Sequence, residues 1–534
     1  MMEKDGEQEG LYILMMSIHG LVRARDIELG RDADTGGQIT YVIEMAKALA
    51  VDPRVARVDL LTRRIEGPGI DTNYADLVET ITDKAQIIRI PCGPRRYLHK
   101  ENLWPYMDEF VHHALCHVRM VGRPPDVVHG HYADAGYAGS QLARELRVPF
   151  VFTGHSLGRV KKQRLLAKGL DEEALERRYK FKRRFQAEEE ALTAASLIVT
   201  STTQEMTDQY SSYDNYRTRN MKVIPPGVDL DRFRPRRRRD PVPPIKAELA
   251  RFLREPDKPM ILCLARPDER KNFRTLVQAY GRDPELQDMA NLILIAGTRD
   301  GIAALKPPER RVLLDIVQLI DEYDLYGRVA YPKRHDPEDV PDMYRLAAQS
   351  RGVFVNPALT EPFGLTLIEA AASGLPVVAT RDGGPLDIIA QCHNGVLIDP
   401  LDAADMARAL KKVLSESQAW RLRAANGVVR ANNLYTWTNH VATYLSHLER
   451  LLDRPGPFIR DHDLSVADIG LPAGAGVRGV LDRIASRKRA RRRPRDYFVV
   501  GTDSAGKRPP VPAKRPAAIV GLHDFTARIG ASDT

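Results

Sequence analysis

Apolar and polar positions along the chain fall into two alternating patterns. Continuous apolar runs, of the kind that parallel strands buried on both faces present, start at Leu11 ("LYILMMSIHG"). They recur at Val55–Thr62, Ala85–Pro91, Asp126–Gly130, Phe150–Thr153, Leu197–Ser201 and Lys222–Pro225. Between them apolar residues return at helical spacing, as at Ile39, Val42, Ile43, Ala46 and Leu49. The alternation breaks at "DLDRFRPRRRRDPVPPIKAE", where Pro and Arg extend neither element type. It restarts with "PMILCLAR" from Pro259, "ANLILIAGT" from Ala290, "RVAYPK" from Arg328, "GVFVNPAL" from Gly352, "LPVVAT" from Leu375 and "GVLIDP" from Gly395. This predicts an α/β protein of two doubly wound, Rossmann-like halves facing a central cleft, with ligands at the carboxyl edges of the strands. The expected divisions are a first half over 1–230, a linker over 231–258, a second half over 259–435 and a closing helix over 436–453. The basic, Pro- and Gly-rich tail at 454–534 is expected to be disordered.

Composition narrows the function classes. The net charge of +9 comes from four arginines at 236–239 and seven basic residues between Arg487 and Arg495. The rest of the chain is slightly acidic, so no groove for nucleic acid is expected. The cysteines (Cys92, Cys116, Cys263, Cys392) lack metal or redox spacing, which fits a reducing cytoplasm. The acidic start "MMEKDGEQEG" and the short first apolar run predict neither a signal peptide nor a membrane anchor.

Three stretches carry candidate chemistry. Gly36 and Gly37 open a helix just after a strand, where bare amides favour an anion and glycine lets it approach. Turn geometry alone also accounts for such a pair. In "LTEPFGLTLIEAAASGLPVVAT", Glu361 stands at a helix mouth and Glu369 about two turns inside it, with the amides of Gly364, Leu365 and Thr366 free for a diphosphate. Taken singly, the two glutamates also read as a first-turn residue complementing the helix dipole and a solvent-facing residue. In "LARPDERKN", Arg266 and Lys271 close the first strand of the second half, five positions apart.

Together these stretches match the E-x7-E donor motif and the Arg/Lys pair of retaining glycosyltransferases with the GT-B fold. With "ELGRDADTGGQITYVIEMAKALA", "HGHYADAG" (His129–Gly136) and "TGHSLGRVKKQRL" (Thr153–Leu165), residues 11 to 452 resemble the sucrose-phosphate synthase family. The resemblance implies glucose transfer from UDP-glucose to fructose 6-phosphate, with no metal or other cofactor required. It places Gly36, Gly37, Arg266, Lys271, Glu361, Phe363, Gly364, Leu365, Thr366 and Glu369 at the donor, and gives catalytic roles to His155, Arg266, Lys271 and Glu361. At the acceptor it places Gly37, Gln38, Lys100, Tyr132, Ser156 and Lys161, with Arg183 or Arg184 reaching the acceptor phosphate. Without the resemblance, Lys161 and the two arginines read equally well as an exposed helical face. Relatives using another donor (GDP-mannose) or free fructose, as sucrose synthase does, are the alternatives, and a nucleotide-sugar epimerase is one from another class.

Two metal-like patterns are set aside. Asp32-Ala-Asp34 precedes a Gly-Gly helix start, and His129 and His131 are expected on opposite faces of their strand, unable to share one ion. The tail's "RRRPRDYFVVGTDSAG" is similar to the entrance of a phosphatase-like domain, but the remaining residues are too few for one. A separate sucrose-phosphate phosphatase is therefore the expected partner.

Overall fold

The computed structural model describes residues 10–28, 31, 34–167 and 169–453. The tail and Asp32 lie outside the described residues. The first sheet contains β1 (Leu11–Met16), β2 (Val55–Arg63), β3 (Val78–Thr80), β4 (Ala85–Ile90), β5 (Val127–His131), β6 (Phe150–Thr153), β7 (Leu197–Thr200) and β8 (Met221–Val223). Their order is β3-β4-β2-β1-β5-β6-β7-β8, parallel except for the β3–β4 pair. The second sheet contains β9 (Met260–Leu264), β10 (Asn291–Ile295), β11 (Val329–Ala330), β12 (Val353–Asn356), β13 (Val377–Thr380) and β14 (Gly395–Ile398). It is wholly parallel, in the order β11-β10-β9-β12-β13-β14.

The continuous apolar runs have a direct cause. Along β1, Tyr12, Leu14 and Met16 enter one core while Ile13 and Met15 enter the core on the other face. On β9, Ile261 and Cys263 face one way and Met260 and Leu262 the other. In each sheet the winding reverses beside the first strand, between β1 and β5 and between β9 and β12. Such a reversal leaves a crevice at the carboxyl ends of the strands.

The Pro/Arg segment departs from the expectation of a structureless linker. Residues Ile245–Ala250 form a helix, with Ile245 and Leu249 buried in the second domain's core beside Phe233. Pro243 and Pro244 precede it, where a missing N–H costs nothing because the first turn has no intrahelical acceptor.

The chain crosses between the domains twice, and the crossings touch. The Val228 N–H donates to the Tyr435 carbonyl at 2.8 Å. Any side chain at Gly227 would meet the Trp437 nitrogen at 2.1 Å, which is why glycine stands there. After the second crossing the helix Trp437–Leu452, capped by Thr436 accepting from the Asn439 N–H at 3.0 Å, returns to the first domain. Its Val441, Tyr444, Leu445 and Leu448 complete the core that holds Ile13, Met15 and Ile39. Leu445→Ala is therefore expected to destabilise the first domain by about 2–5 kcal/mol, read as a lower urea midpoint. An unchanged midpoint would show that the helix merely rests on the surface.

Candidate active site

Most of the residues singled out from sequence stand beside the two crevices. The helix Gly37–Val51 opens beside the end of β1 with no side-chain cap. A Cβ at Gly36 or Gly37 would meet nothing within 4 Å. The protein itself thus gives no steric reason for these glycines, and the space in front of them is open to a ligand. Gln38 donates from Nε2 to Ser17 Oγ at 3.1 Å and to the His131 carbonyl at 3.4 Å. His155 follows β6 with a left-handed backbone, φ 55°, a conformation that costs an L-residue energy. Its Nε2 lies 3.0 Å from His131 Nδ1. Burial, with His19 nearby, pushes the His155 imidazole down to about 3, so its ring is neutral.

Three cations gather on the first-domain side. Arg184 lies over the Tyr132 ring at 4.6 Å and donates to Glu188 Oε1 at 2.9 Å and to the Ser156 carbonyl at 2.6 Å. Glu188 is buried and also accepts from the Gly158 N–H, at the start of the helix Gly158–Leu166 that carries Lys161, and from the Tyr213 hydroxyl. Lys100 donates to Asp34, which also accepts from the Tyr97 hydroxyl at 3.2 Å. Burial works against the Asp34 charge, but Lys100 holds the carboxyl below its ordinary value. Lys161 sits over the Tyr179 ring at 4.1 Å. Burial, then Lys100 and Arg184, push its ammonium down to about 8. Of the two arginines left open by sequence, Arg184 joins this group, while Arg183 turns onto the rings of Tyr137 and Trp104.

On the second-domain side, Lys271 ends a turn after β9 and donates to Glu361 Oε2 at 2.6 Å. Asn356 at the end of β12 donates to the same oxygen at 3.1 Å. Buried Asn272, left-handed at φ 56°, donates to the carbonyls of Pro357 and Pro400 and so ties the Lys271 turn to the loop after β12. Arg266 is exposed at the end of β9. The helix beyond Glu361 runs over Leu365–Ala372 and starts after Gly364, which takes a left-handed φ of 103°. Phe363 is half-buried and Thr366 partly exposed at its mouth. Glu369 accepts from the Tyr344 hydroxyl at 3.0 Å, and desolvation pushes its carboxyl up to about 7. Opposite the Glu361 backbone, Gly383 has φ 105° and approaches so closely that a Cβ would meet the Glu361 carbonyl at 1.9 Å.

Hydrogen bonds cross the cleft. The Thr203 N–H donates to Asp387 at 2.6 Å, Gln204 Nε2 to Asp382 at 3.2 Å, and Arg164 to Thr360 Oγ1 at 3.4 Å. A cavity of about 360 Å³ lies beside them, lined by Val160, Arg164, Gln204, Thr360, Pro362 and Asp382.

The histidine expectation needs correcting. His129 and His131 stand on the same face of β5, their ring centroids 4.0 Å apart, because side chains two apart on a strand share a face. No cluster of three or more His, Cys, Asp or Glu among the described residues is placed to hold a metal ion. Sequence reasoning missed Asn356, Asn272, Glu188 and the His131–His155 contact. Only Glu188 had a local signal, four positions after Arg184 on one helix face.

Known proteins share both halves of this fold. Residues 245–427 match "Glycosyl transferases group 1" and residues 10–234 match "Sucrose synthase first GT-B domain". Sucrose-phosphate synthase 4 of Arabidopsis thaliana is 45% identical over 513 residues, covering 85% of this chain and 49% of the relative. The sucrose-phosphate synthase of Zea mays is 44% identical over 509 residues, covering 83% and 48%. The chain thus carries a match to a group 1 glycosyltransferase domain and to a GT-B domain, and is similar to sucrose-phosphate synthases. It spans about half the length of these curated relatives. The solved sucrose-phosphate synthase from Thermosynechococcus elongatus matches with TM-score 0.63 at 28% identity, over 83% of this chain and 99% of that one. The fold extends to the catalytic domain of starch synthase IV from Arabidopsis thaliana, with TM-score 0.57 at 16% identity over 83% of this chain and 100% of that one.

Because Arg184 is buried, removing its counter-ion leaves an uncompensated charge. Glu188→Ala is expected to cost about 3–5 kcal/mol of unfolding free energy, and the paired change Arg184→Met with Glu188→Leu much less. Equal losses in urea titrations of the two variants would contradict this account.

Proposed function

We propose that the chain transfers glucose from UDP-glucose to fructose 6-phosphate, giving sucrose 6-phosphate and UDP with the donor's α-configuration retained. The observation that carries this reading is Lys161. It is a half-buried ammonium set beside Lys100 and Arg184, with its charge facing an aromatic ring. A phosphomonoester brings about −1.5 to −2 charges near neutral pH, and such a crowded cation group suits it. The names of the relatives and their identity to this chain support the same substrates.

In this reading the donor diphosphate lies against Arg266, Lys271 and the amides of Gly364, Leu365 and Thr366. Preorganised donors there stabilise the charge that develops on the leaving phosphate. Glu361 and Glu369 take hydrogen bonds from donor hydroxyls. The strained loop at His155 brings its backbone carbonyl against the anomeric carbon. The acceptor hydroxyl attacks from the face that UDP leaves. The bond from the anomeric carbon to the acceptor oxygen forms as the bond to phosphate breaks, and the acceptor's proton passes to the departing phosphate oxygen. No helix among the described residues is long and apolar enough to cross a membrane, and all four cysteines are free thiols. We place the reaction in the cytoplasm, with a separate phosphatase hydrolysing the product.

Lys271→Ala or Glu361→Ala is expected to lower kcat roughly 10- to 150-fold, from about 1.5–3 kcal/mol per charged hydrogen bond. A folded variant with wild-type turnover would remove these residues from the donor site. Lys161→Ala is expected to lower kcat/KM for fructose 6-phosphate about 10- to 100-fold while leaving the slower use of free fructose nearly unchanged. Equal losses with both acceptors would sink the assignment, and a wild-type preference for free fructose would favour sucrose synthesis instead.

The depressed Lys161 ammonium adds a pH signature. A bound phosphate dianion favours the protonated lysine, so binding takes up a proton once the free enzyme has lost it. KM for fructose 6-phosphate is therefore flat from pH 7 to about 8 and rises above it. This window lies above the phosphate's own titration near pH 6. Lys161→Arg, charged throughout, is expected to flatten the profile; a rise that persists in that variant assigns it to another group.

A further inference from the structure

We propose that His131 is a positioning residue: its ring fixes the tautomer of His155 and thereby makes the His155 ring a hydrogen-bond donor toward the cleft. The inference rests on the reading that His155 borders the donor sugar.

His131 ends β5 and is fully buried. Its Nδ1 lies 3.0 Å from His155 Nε2, and the two rings stack with centroids 5.2 Å apart. One nitrogen of that contact must carry a proton and the other a lone pair. Both rings are neutral, because burial and the neighbouring histidines push their imidazoles down, so each has a single N–H. The remaining nitrogen of His131, Nε2, is buried and has no hydrogen-bond partner.

The groups around it are already engaged. His129 Nε2 lies 2.9 Å from Thr153 Oγ1, and its Nδ1 lies 3.2 Å from the Tyr444 hydroxyl. Tyr41, edge-on to both His131 and His155, meets His440 Nε2 at 3.2 Å. His440 Nδ1 faces the Pro225 carbonyl at 2.9 Å, so its proton belongs there and its Nε2 accepts from Tyr41. If the single proton of His131 sat on Nε2, it would be an N–H buried without an acceptor, the rarest of unsatisfied groups. It therefore sits on Nδ1 and is donated to His155 Nε2. That leaves the proton of His155 on Nδ1, since the hydrogen bond at one ring nitrogen decides the state of the other.

Neutron diffraction from the deuterated full-length chain reads the tautomers directly. Deuterium is expected on Nδ1 of both His131 and His155; deuterium on His131 Nε2 overturns the proposal whatever the enzyme's substrate. Kinetics with UDP-glucose and fructose 6-phosphate test the consequence. His131→Leu is expected to lower kcat roughly 10- to 100-fold, with the acceptor KM unchanged within about twofold. His131→Asn, whose amide keeps a donor near the Nδ1 position, is expected to recover most of that loss. Equal kcat in the Leu and Asn variants overturns the positioning role. If His131→Leu does not fold, the Asn variant compared with His131→Gln, whose amide lies nearer the Nε2 position, replaces it, and equal activity in that pair is the overturning result. His155→Ala with wild-type kcat would instead refute the functional reading and leave the tautomer assignment standing.

Discussion

Cations gathered in a cleft need partners that keep them charged and still, and here carboxylates do most of that. Lys100 is held by Asp34, Arg184 by Glu188 and Lys271 by Glu361. Removing one partner of a buried pair leaves a charge that the low-dielectric interior penalises strongly. Each carboxylate therefore decides whether its cation can stay. Lys161 is the exception among these lysines and arginines. Its charge faces a ring, but burial, then the two neighbouring cations, lower its affinity for a proton. An incoming anion relieves that repulsion, which makes the least stabilised cation the most responsive to the ligand.

Topology puts these pairs where they can act. The strand order reverses at β1/β5 and at β9/β12. The loops carrying the Gly36–Gly37 helix mouth, His131, Lys271 and Glu361 leave the carboxyl ends of these central strands or start just beyond them. The helix Trp437–Leu452 returns to the first domain and supports the histidine layer from below, with Tyr444 and His440 reaching His129 and Tyr41. Packing of the last described helix and the hydrogen bonding of the cleft are thus one structure. Across the cleft, Arg164 reaches Thr360 in the loop bearing Glu361, while Thr203 and Gln204 reach Asp387 and Asp382 beyond β13.

Much of this was legible in the sequence because parallel strands buried on both faces leave continuous apolar runs. β3 escaped notice: Val78–Thr80 is short, exposed and antiparallel, so it needs no such run. The helix Ile245–Ala250 was hidden by the prolines that in fact open it. Motif residues fell where their spacing indicated, but the Lys271–Glu361 contact spans 90 positions and the Lys100–Asp34 contact 66. Spacing along one element cannot reveal such pairs; only the strand order brings them together. The His129–His131 error was of another kind. A two-residue period on a strand places both side chains on one face, and that rule alone would have stacked the rings.

The central claim is that this cleft moves glucose onto a phosphorylated acceptor, and acceptor-dependent release of UDP tests it most directly. With the purified full-length chain and UDP-glucose, fructose 6-phosphate should trigger rapid UDP release and an α-linked glucosyl product, and free fructose should be far slower. UDP release at the same rate without acceptor, or a faster rate with free fructose, would contradict the account.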